Sequence, residues 1–459
     1  MSVIWDERHG SILTAFFSKM NQENIRWFVI RGYQGLPNSN SSKDVDVMIE
    51  VGKEKLASKL LFATFKEHGL THVHEDQFGH IHCYIGTNTQ EKIAIHIDLV
   101  EGYISKGYEV FTFEELYQHV IDYNNIKVLD DFMNGIMLLV YKIFGYHNAK
   151  LKKEYQDDIV KAYECSTKQF KTLLSQLVGT KMTQVICDSI VESNFQKIIA
   201  LEPQFTKALK KYTIRKRMFP TIKYIMEFLL QKINRIIFRY RKYAKTFAVM
   251  APDGTGKTTF LDTLLGELNF YYVNKPEDNR FHVYHFRPTI LPNLGEIGEK
   301  AGVMTQDKDF TNPHRSKPAN PLSSLVRISY YTLDYILGWQ KCIRKDVQYD
   351  RYSIFDRYSY DFIVDPLRTK LNLPMWIRKS FVAITPQPKV VFFLDAAPGV
   401  ILSRKQELTL EEISRQCAAY RTVANSNLER FIIINAEQTP QQMAREAVQI
   451  LLEKYTVKL

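Results

Sequence analysis

The chain has 459 residues and a net charge of +11, with 45% hydrophobic and 24% charged residues. This length exceeds one ordinary core and predicts two or three domains, and the composition is that of a folded globular protein rather than a disordered or fibrous one. No apolar run approaches the roughly 18 residues that a membrane span needs, so we expect a cytoplasmic protein.

The five cysteines are scattered along the chain and have no close Cys/Cys or Cys/His spacing; they are Cys83, Cys165, Cys187, Cys342 and Cys417. A disulfide framework needs paired cysteines in an oxidising compartment, and a structural zinc site needs closely spaced ligands. We therefore expect neither.

The N-terminal part is predicted to begin with a helix and two strands. Residues 1–25 have the pattern of an amphipathic helix, and the apolar run that follows predicts a strand ending at Gly32. After a turn-rich loop, residues 43–49 predict a second strand. Asp44 and Asp46 share one face of it because side chains alternate along a strand.

A third carboxylate, Asp98, lies in the apolar run 93–100, where His96 shares its face. Carboxylates on neighbouring strands are the hard oxygen ligands that two Mg²⁺ ions need to hold the reacting oxygens of phosphoryl or nucleotidyl transfer. We therefore predict a magnesium site formed by Asp44, Asp46 and Asp98.

Gly32, the Asp44-x-Asp46 pair and Asp98, in this order, resemble the nucleotidyltransferase fold of the DNA polymerase beta superfamily over about residues 1–125. The resemblance implies a nucleotidyltransferase-like domain with a mixed sheet at residues 1–127. In it Gly32 would bind nucleotide, and the three aspartates would bind metal and carry the catalysis. Tyr33 departs from the family, which has a serine there that helps to hold the triphosphate.

Residues 128–245 are predicted to be a helical region, because apolar residues from 132 to 144 recur at three- and four-residue spacing. Further helices are expected at 152–176 and 181–199. The region ends in the segment 207–245, which has thirteen Lys or Arg and one acid, and in which Pro220 can open a basic amphipathic helix.

Three interpretations of this basic helix stay open. It can connect two domains and bury its apolar face, it can lie on an anionic membrane surface, or it can bind a polyanion. The connector is favoured. We expect no specific nucleic acid, because interleaved aromatic platforms for bases are not evident.

Residues 249–259 read VMAPDGTGKTT, the pattern of a P-loop between a buried strand and a helix, with Ala251 in place of the usual first glycine. Backbone N–H groups of such a loop surround phosphate oxygens. Lys257 reaches the β- and γ-phosphates and Thr258 ligates Mg²⁺. The residues predicted to bind ATP are Gly254, Thr255, Gly256, Lys257, Thr258 and Thr259.

Beyond the P-loop, apolar runs at 281–288, 352–358, 389–395 and 431–434 alternate with helices, which indicates a parallel sheet covered by helices on both faces. The first of these runs is predicted to be a strand that ends in a cationic loop containing Arg287. The proline-interrupted stretch 301–321 is a candidate substrate loop that contains Arg315 and Lys317. The predicted fold class is therefore multidomain α/β and α+β.

The P-loop DGTGKTT at 253–259, together with DRY at 356–358 and LDAAP at 394–398, resembles the thymidylate kinase family of nucleoside monophosphate kinases over about residues 246–459. The resemblance implies that Asp253 meets a substrate hydroxyl and that Arg357, beside Asp356, contacts the acceptor phosphate or the phosphoryl group in transfer. It also places Arg404 and Lys405 where the family has a cationic lid over ATP.

One departure concerns the acceptor. The family carries a TREPGG-like loop after its second strand, whereas this chain has HFRPT at 285–289. We therefore expect a rebuilt acceptor pocket that does not take thymidylate, with Arg287, Arg315, Asp253 and Arg357 as the substrate contacts.

The function predicted from the sequence is ATP- and Mg²⁺-dependent phosphorylation of a sugar or glycan acceptor, in bacterial surface-polysaccharide biosynthesis, with a second, nucleotidyltransferase-like site. One alternative is a nucleoside monophosphate kinase that feeds the nucleotidyltransferase. Another is a nucleotide-binding regulatory module without turnover. Peripheral attachment to the inner face of the membrane and a homo-oligomer are further expectations.

Overall fold

A computed structural model describes residues 5–144, 151–238, 245–274, 280–292, 319–406 and 408–459. These residues fall into two compact units. The N-terminal unit lies within residues 1–232 and is completed by 271–273 and 456–459, and the C-terminal unit comprises the rest. The predicted fold class is confirmed, since the chain has a mixed sheet, a parallel sheet and many helices.

The described strands, numbered along the chain, are β1 (Trp27–Val29), β2 (Val45–Ile49), β3 (His72–Phe78), β4 (Ile81–Asn88), β5 (Ile93–Glu101), β6 (Ile104–Ser105), β7 (Tyr108–Glu109), β8 (Val120–Tyr123), β9 (Ile126–Leu129), β10 (Lys245–Met250), β11 (Phe281–His285), β12 (Tyr352–Asp356), β13 (Val390–Asp395), β14 (Phe431–Asn435) and β15 (Val457–Lys458).

The described helices are α1 (Glu7–Gln22), α2 (Glu54–Glu67), α3 (Phe113–Tyr117), α4 (Asp131–Ile143), α5 (Lys153–Cys165), α6 (Thr167–Val178), α7 (Thr180–Val191), α8 (Phe195–Ala200), α9 (Glu202–Lys216), α10 (Met218–Ile233), α11 (Lys257–Tyr271), α12 (Pro321–Gly338), α13 (Arg344–Gln348), α14 (Asp361–Val364), α15 (Met375–Ile384), α16 (Pro398–Arg404), α17 (Leu410–Asn425) and α18 (Pro440–Tyr455). Short π-helical turns follow α10 and α12.

The N-terminal unit is built on an eight-stranded sheet of order β15-β3-β4-β5-β2-β1-β9-β8. The strand β2 runs parallel to β5 and antiparallel to β1, and the register places Asp46 directly beside Asp98. Helices α1 and α2 pack on one face of the sheet through residues such as Phe16 and Phe65. The opposite face, which includes Phe28, packs against α4 and the helices after it.

The helical region differs from its predicted bounds. The hairpin β8–β9 extends the sheet to Leu129, so the helices begin at Asp131. Two predicted helices are each broken in two. At the first break the Ser166 hydroxyl accepts the N–H of Gln169 and caps a new helix, and at the second Ser193 has a φ of 53°. Such short breaks leave the apolar periodicity almost unchanged, so the sequence pattern does not show where one helix ends and the next begins.

The C-terminal unit has a five-stranded sheet in which all strands are parallel, of order β11-β12-β10-β13-β14. One face packs on α12 and α17 through Phe393 and Tyr420, whose rings stack at 5.2 Å. On the other face Phe392 contacts Phe260 of α11. The predicted parallel sheet with helices on both faces is confirmed, and its central strand β10 leads into the P-loop.

No helix within the described ranges combines the length and the apolar character that crossing a membrane requires.

Candidate active sites

The P-loop connects β10 to α11, and its glycines explain its shape. Gly254 and Gly256 have φ values of 85° and 95°, a left-handed backbone that other residues adopt only with strain. A Cβ on Gly254 would also come 3.0 Å from Cβ of Lys405, whereas a Cβ on Gly256 would point into open space. The loop is therefore packed on one side and open on the other.

The buried Thr255 hydroxyl fixes the loop by donating to the carbonyl of Pro252 at 2.9 Å. Thr258 and Thr259 lie exposed in the first turn of α11. Exposed hydroxyls and free N–H groups at a helix N-terminus suit phosphate and a hard cation, so the residues present fit Mg²⁺ and a nucleotide triphosphate.

Lys257 meets a carboxylate at the carboxyl end of the neighbouring strand. Its Nζ donates to Asp356, and Nδ1 of the exposed His285 lies 3.1 Å from the other oxygen of that carboxylate. Burial and the nearby Arg357 lower the pKa of Lys257. Burial works against ionisation of Asp356, but the charge and hydrogen bond of Lys257, together with His285 and Arg357, more than offset it and hold the pKa of Asp356 below its usual value.

A second cluster of charges surrounds the P-loop carboxylate Asp253. One oxygen accepts from Arg357 and the other from Arg368. Nη1 of Arg357 also lies 3.3 Å from Asp361, and Nε of Arg368 lies 3.2 Å from Asp365. Two guanidinium groups are thereby held beside the P-loop by carboxylates that fix their orientation.

Two predicted site residues have structural partners. Arg404 donates to the carbonyls of Thr255 and Ala436 at 3.1 and 2.9 Å, so it braces the P-loop backbone. Buried Arg287 pairs with the fully buried Asp334 at 2.7 Å. Asp334 also accepts backbone N–H groups of the loop after β11, so this pair organises that loop. The roles of Arg404 over ATP and of Arg287 in substrate contact stay predictions.

The predicted contact Arg315, together with Lys317, lies outside the described residues. Sequence reasoning missed Arg368, Asp361 and His285. Asp361 and Arg368 follow the DRY motif closely in sequence. Arg368 nevertheless contacts Asp253, which lies 115 positions away, and no local sequence pattern indicates this contact.

The N-terminal unit brings the three predicted aspartates together. Carboxylate oxygens of Asp44, Asp46 and Asp98 all lie within 4.8 Å of one another. Nε of Arg31 is 2.6 Å from Asp46, and the Ser42 hydroxyl donates to Asp44 at 2.7 Å. An all-oxygen donor set with this concentration of negative charge fits Mg²⁺.

The protonation of these groups follows from burial and charge. Burial raises the pKa of Asp46, and Arg31 opposes this only in part. Burial also disfavours the charged form of Asp44, but His96 and the Ser42 hydrogen bond outweigh it and lower the pKa of that carboxyl. Burial and Arg31 lower the pKa of the neighbouring Lys142 to about 8.

A cavity of about 270 Å³ adjoins this site and includes Arg31, Asp46, Tyr103 and Tyr141 in its lining. Gly32, with a φ of 65°, has open space where a Cβ would stand, whereas Tyr33 is buried and its ring contacts that of Tyr123. The site therefore has room for a substrate beside Asp46.

No family model matches the chain. Over 213 residues the chain is 25% identical to a protein described as a probable thymidylate kinase from Methanosarcina barkeri (strain Fusaro / DSM 804), a match that covers 44% of this chain and 92% of that protein. Among solved structures, a thymidylate kinase from Ehrlichia chaffeensis is 14% identical with a TM-score of 0.31, covering 45% of this chain and 97% of that one. Thymidylate kinase-like homology thus spans 44% of the chain and supports a kinase.

Proposed function

We propose that the C-terminal unit is an ATP- and Mg²⁺-dependent nucleoside monophosphate kinase. The sequence alone favours a glycan acceptor and offers a nucleoside monophosphate kinase as an alternative. The homology to a probable thymidylate kinase favours the nucleotide acceptor, and no observation on the described residues supports a glycan. Thymidylate therefore returns as the first acceptor to test, although the HFRPT loop argued against it.

The observation that carries the proposal is the convergence of three cations at the P-loop. Lys257, Arg357 and Arg368 all reach carboxylates at or beside this loop. Phosphoryl transfer between two phosphates brings together much negative charge, and catalysis consists mainly of positioning it and neutralising it. Cations that are already oriented by Asp253 and Asp356 need little rearrangement when substrates bind.

In the proposed mechanism Lys257 contacts the transferable phosphate of ATP, while backbone N–H groups of the P-loop enclose the phosphate oxygens. Thr258 and Asp356 would hold Mg²⁺, which supplies charge neutralisation on the phosphates. Arg357 and Arg368 hold the acceptor phosphate in line with the transferred group. Asp253 acts as a positioning residue because it fixes both guanidinium groups.

An aromatic group beside the site suits a planar base. Phe286, at the end of β11, contacts Tyr331 and Phe362 with ring centroids 6.0 and 5.9 Å away, and it is only partly buried. Aromatic rings stack on the faces of bases. We propose that this aromatic group receives the base of the acceptor.

The proposal is tested by transfer of γ-labelled phosphate from ATP to two acceptor pools, the nucleoside monophosphates including thymidylate and a lipid-linked glycan extract. We expect label in a nucleoside diphosphate. Label in the glycan pool alone would support the sugar or glycan acceptor predicted from the sequence. Transfer to neither pool would support a nucleotide-binding regulatory module without turnover.

A second proposed site is the N-terminal carboxylate cluster, where Asp44, Asp46 and Asp98 would hold Mg²⁺ for nucleotidyl transfer. The specific observation in its favour is that β2 and β5 bring the three carboxylates to one point beside a cavity. If the enzyme is bifunctional, it must transfer the α-phosphate of a nucleotide in a reaction that depends on these aspartates. Release of pyrophosphate from a panel of nucleoside triphosphates measures this transfer.

We also propose that α10 contacts anionic membrane. The connector interpretation required a buried apolar face, but seven large apolar side chains of α10 are exposed, of which Phe219 is 78% exposed: Met218, Phe219, Ile222, Met226, Leu229, Leu230 and Ile233. Lys223 and Lys232 are exposed on the same helix. An apolar row with basic neighbours suits the interface of an anionic bilayer, whereas Arg239 of the same segment lies outside the described residues.

Sedimentation with phosphatidylserine vesicles tests this contact. The double variant Met226→Glu, Leu230→Glu should lose binding, and Val191→Glu, the same kind of change at an exposed residue of α7, should keep it. Equal binding of all three proteins, or none by the unmodified chain, would exclude the contact.

A further inference from the structure

A sulfur, a nitrogen and an oxygen atom meet on the face of the N-terminal sheet that carries the aspartates. Cys83 of β4 pairs directly with Asp98 of β5 across the sheet, and His96 precedes Asp98 by two residues on the same face. Nε2 of His96 lies 2.9 Å from Sγ of Cys83 and 2.8 Å from Oδ1 of Asp98. All three donor atoms lie within 4.8 Å of one another.

This arrangement does not fit a nucleophilic triad. In such a triad the nucleophile and the carboxylate contact opposite nitrogens of the imidazole, so that a proton can pass through the ring. Here Cys83 and Asp98 share Nε2, and the buried Nδ1 of His96 has no hydrogen-bond partner among the residues that the structure describes. The three donor atoms instead lie close together, as the ligands of a single cation do.

From this convergence we infer that Cys83, His96 and Asp98 form a binding site for a thiophilic divalent cation such as Zn²⁺. Thiolate and imidazole select borderline and soft ions, whereas the neighbouring all-carboxylate set selects Mg²⁺. The inference does not depend on nucleotidyl transfer, because it rests only on the donor atoms.

The distances are compatible with this ion after a small adjustment. With Zn–S of about 2.3 Å and Zn–N and Zn–O of about 2.0–2.1 Å, ligand atoms of a tetrahedral site stand about 3.4–3.6 Å apart. The present separations of 2.9 and 2.8 Å must therefore open by roughly 0.6 Å. Cys83 and Asp98 are only partly buried, so their side chains have room to turn, and their exposed side offers the fourth position to water.

Asp98 belongs to both sets of ligands, which links the two sites. A thiophilic ion held by Cys83 and His96 engages Asp98 and leaves Asp44 and Asp46 as the remaining pair for Mg²⁺. We therefore expect saturation with Zn²⁺ to weaken Mg²⁺ binding at the carboxylate cluster.

The test titrates the full chain with Co²⁺, a spectroscopic substitute for Zn²⁺. The unmodified protein should develop a thiolate-to-cobalt charge-transfer band that Zn²⁺ abolishes and Mg²⁺ does not. Cys83→Ser should lose the band and bind Zn²⁺ at least about tenfold more weakly, since loss of outer-shell partners alone costs about 10- to 100-fold. Cys165→Ser, which changes an exposed cysteine elsewhere, is the matched control and should retain both.

Absence of the band in the unmodified protein would overturn the inference without any variant. A band that persists in Cys83→Ser, with thermal unfolding showing that the variant is folded, would also overturn it because the thiolate would then come from another cysteine. Asp44→Asn should retain the band, since Asp44 contributes only to the carboxylate cluster.

Discussion

The two candidate sites arrange the same kinds of charged group differently. In the C-terminal unit, each of the cations Lys257, Arg357 and Arg368 contacts a carboxylate that orients it. In the N-terminal unit, three aspartates meet and Arg31 contacts only one of them. The first arrangement presents oriented cations and suits phosphate ligands, whereas the second leaves carboxylates in excess and suits metal ions.

The largest expected effect comes from removing the P-loop cation. Lys257→Ala should lower kinase turnover by about 10²–10³-fold or more, because Lys257 neutralises charge where it develops in the transition state. Steady-state transfer of γ-phosphate measures this. Unchanged turnover would contradict the assignment of the P-loop as the ATP site, and thermal unfolding verifies that the variant is folded.

The N-terminal site should respond to the opposite change. Asp44→Asn combined with Asp46→Asn should abolish Mn²⁺ binding at this cluster, measured by electron paramagnetic resonance of the free ion, because two of three charged ligands are lost. Kinase turnover should stay within about twofold of the unmodified protein if the sites act independently. Loss of both activities would show that the two sites are coupled.

A smaller effect is expected for the second arginine at Asp253. Arg368→Ala should raise the KM for the nucleoside monophosphate by roughly 10- to 100-fold, since a charge-assisted hydrogen bond to phosphate contributes about 1.5–3 kcal/mol. The KM for ATP should change little. Arg421→Ala, which breaks the pair with Asp395 instead, is the control, and equal effects of the two variants would contradict an acceptor role for Arg368.

The last expected effect concerns stability at the carboxylate cluster, not activity. The pKa of Lys142 is lowered to about 8 in the folded chain, so at neutral pH folding buries a charge that the unfolded chain leaves in water. Lys142→Met should therefore raise the free energy of unfolding at pH 7, by at most about 3 kcal/mol for a shift of this size.

The sign of the pH dependence follows from linkage. Between the folded pKa of about 8 and the ordinary value of 10.5, the unfolded chain binds more protons, so this group stabilises the unmodified protein as pH rises. The advantage of Lys142→Met in urea unfolding should shrink from pH 7 to pH 10. An advantage that grows over this range would contradict the depressed pKa.

The two sites differ in how much of each can be predicted from the sequence. The P-loop and the parallel sheet were predicted because strand, glycine turn and helix follow one another locally. The meeting of Asp44, Asp46 and Asp98 was predicted because strand alternation fixes their faces, and the register of β2 and β5 then completed it.

Contacts that depend on long-range register were missed. Cys83 lies thirteen residues from His96 and meets it only because β4 and β5 pair in one particular register, so a search for close Cys/His spacing does not find this group of side chains. Arg368 reaches Asp253 through tertiary packing alone. The sequence indicates Arg287 as a cation after β11, but no sequence pattern indicates that it pairs with the buried Asp334.

We propose that the C-terminal unit phosphorylates a nucleoside monophosphate. Phosphorus-31 magnetic resonance of the unmodified protein with ATP, Mg²⁺ and thymidylate, then with the other monophosphates, tests this proposal. We expect ADP and a nucleoside diphosphate to appear in equal amounts for at least one acceptor. Formation of ADP and free phosphate without any nucleoside diphosphate, across all acceptors, would contradict it.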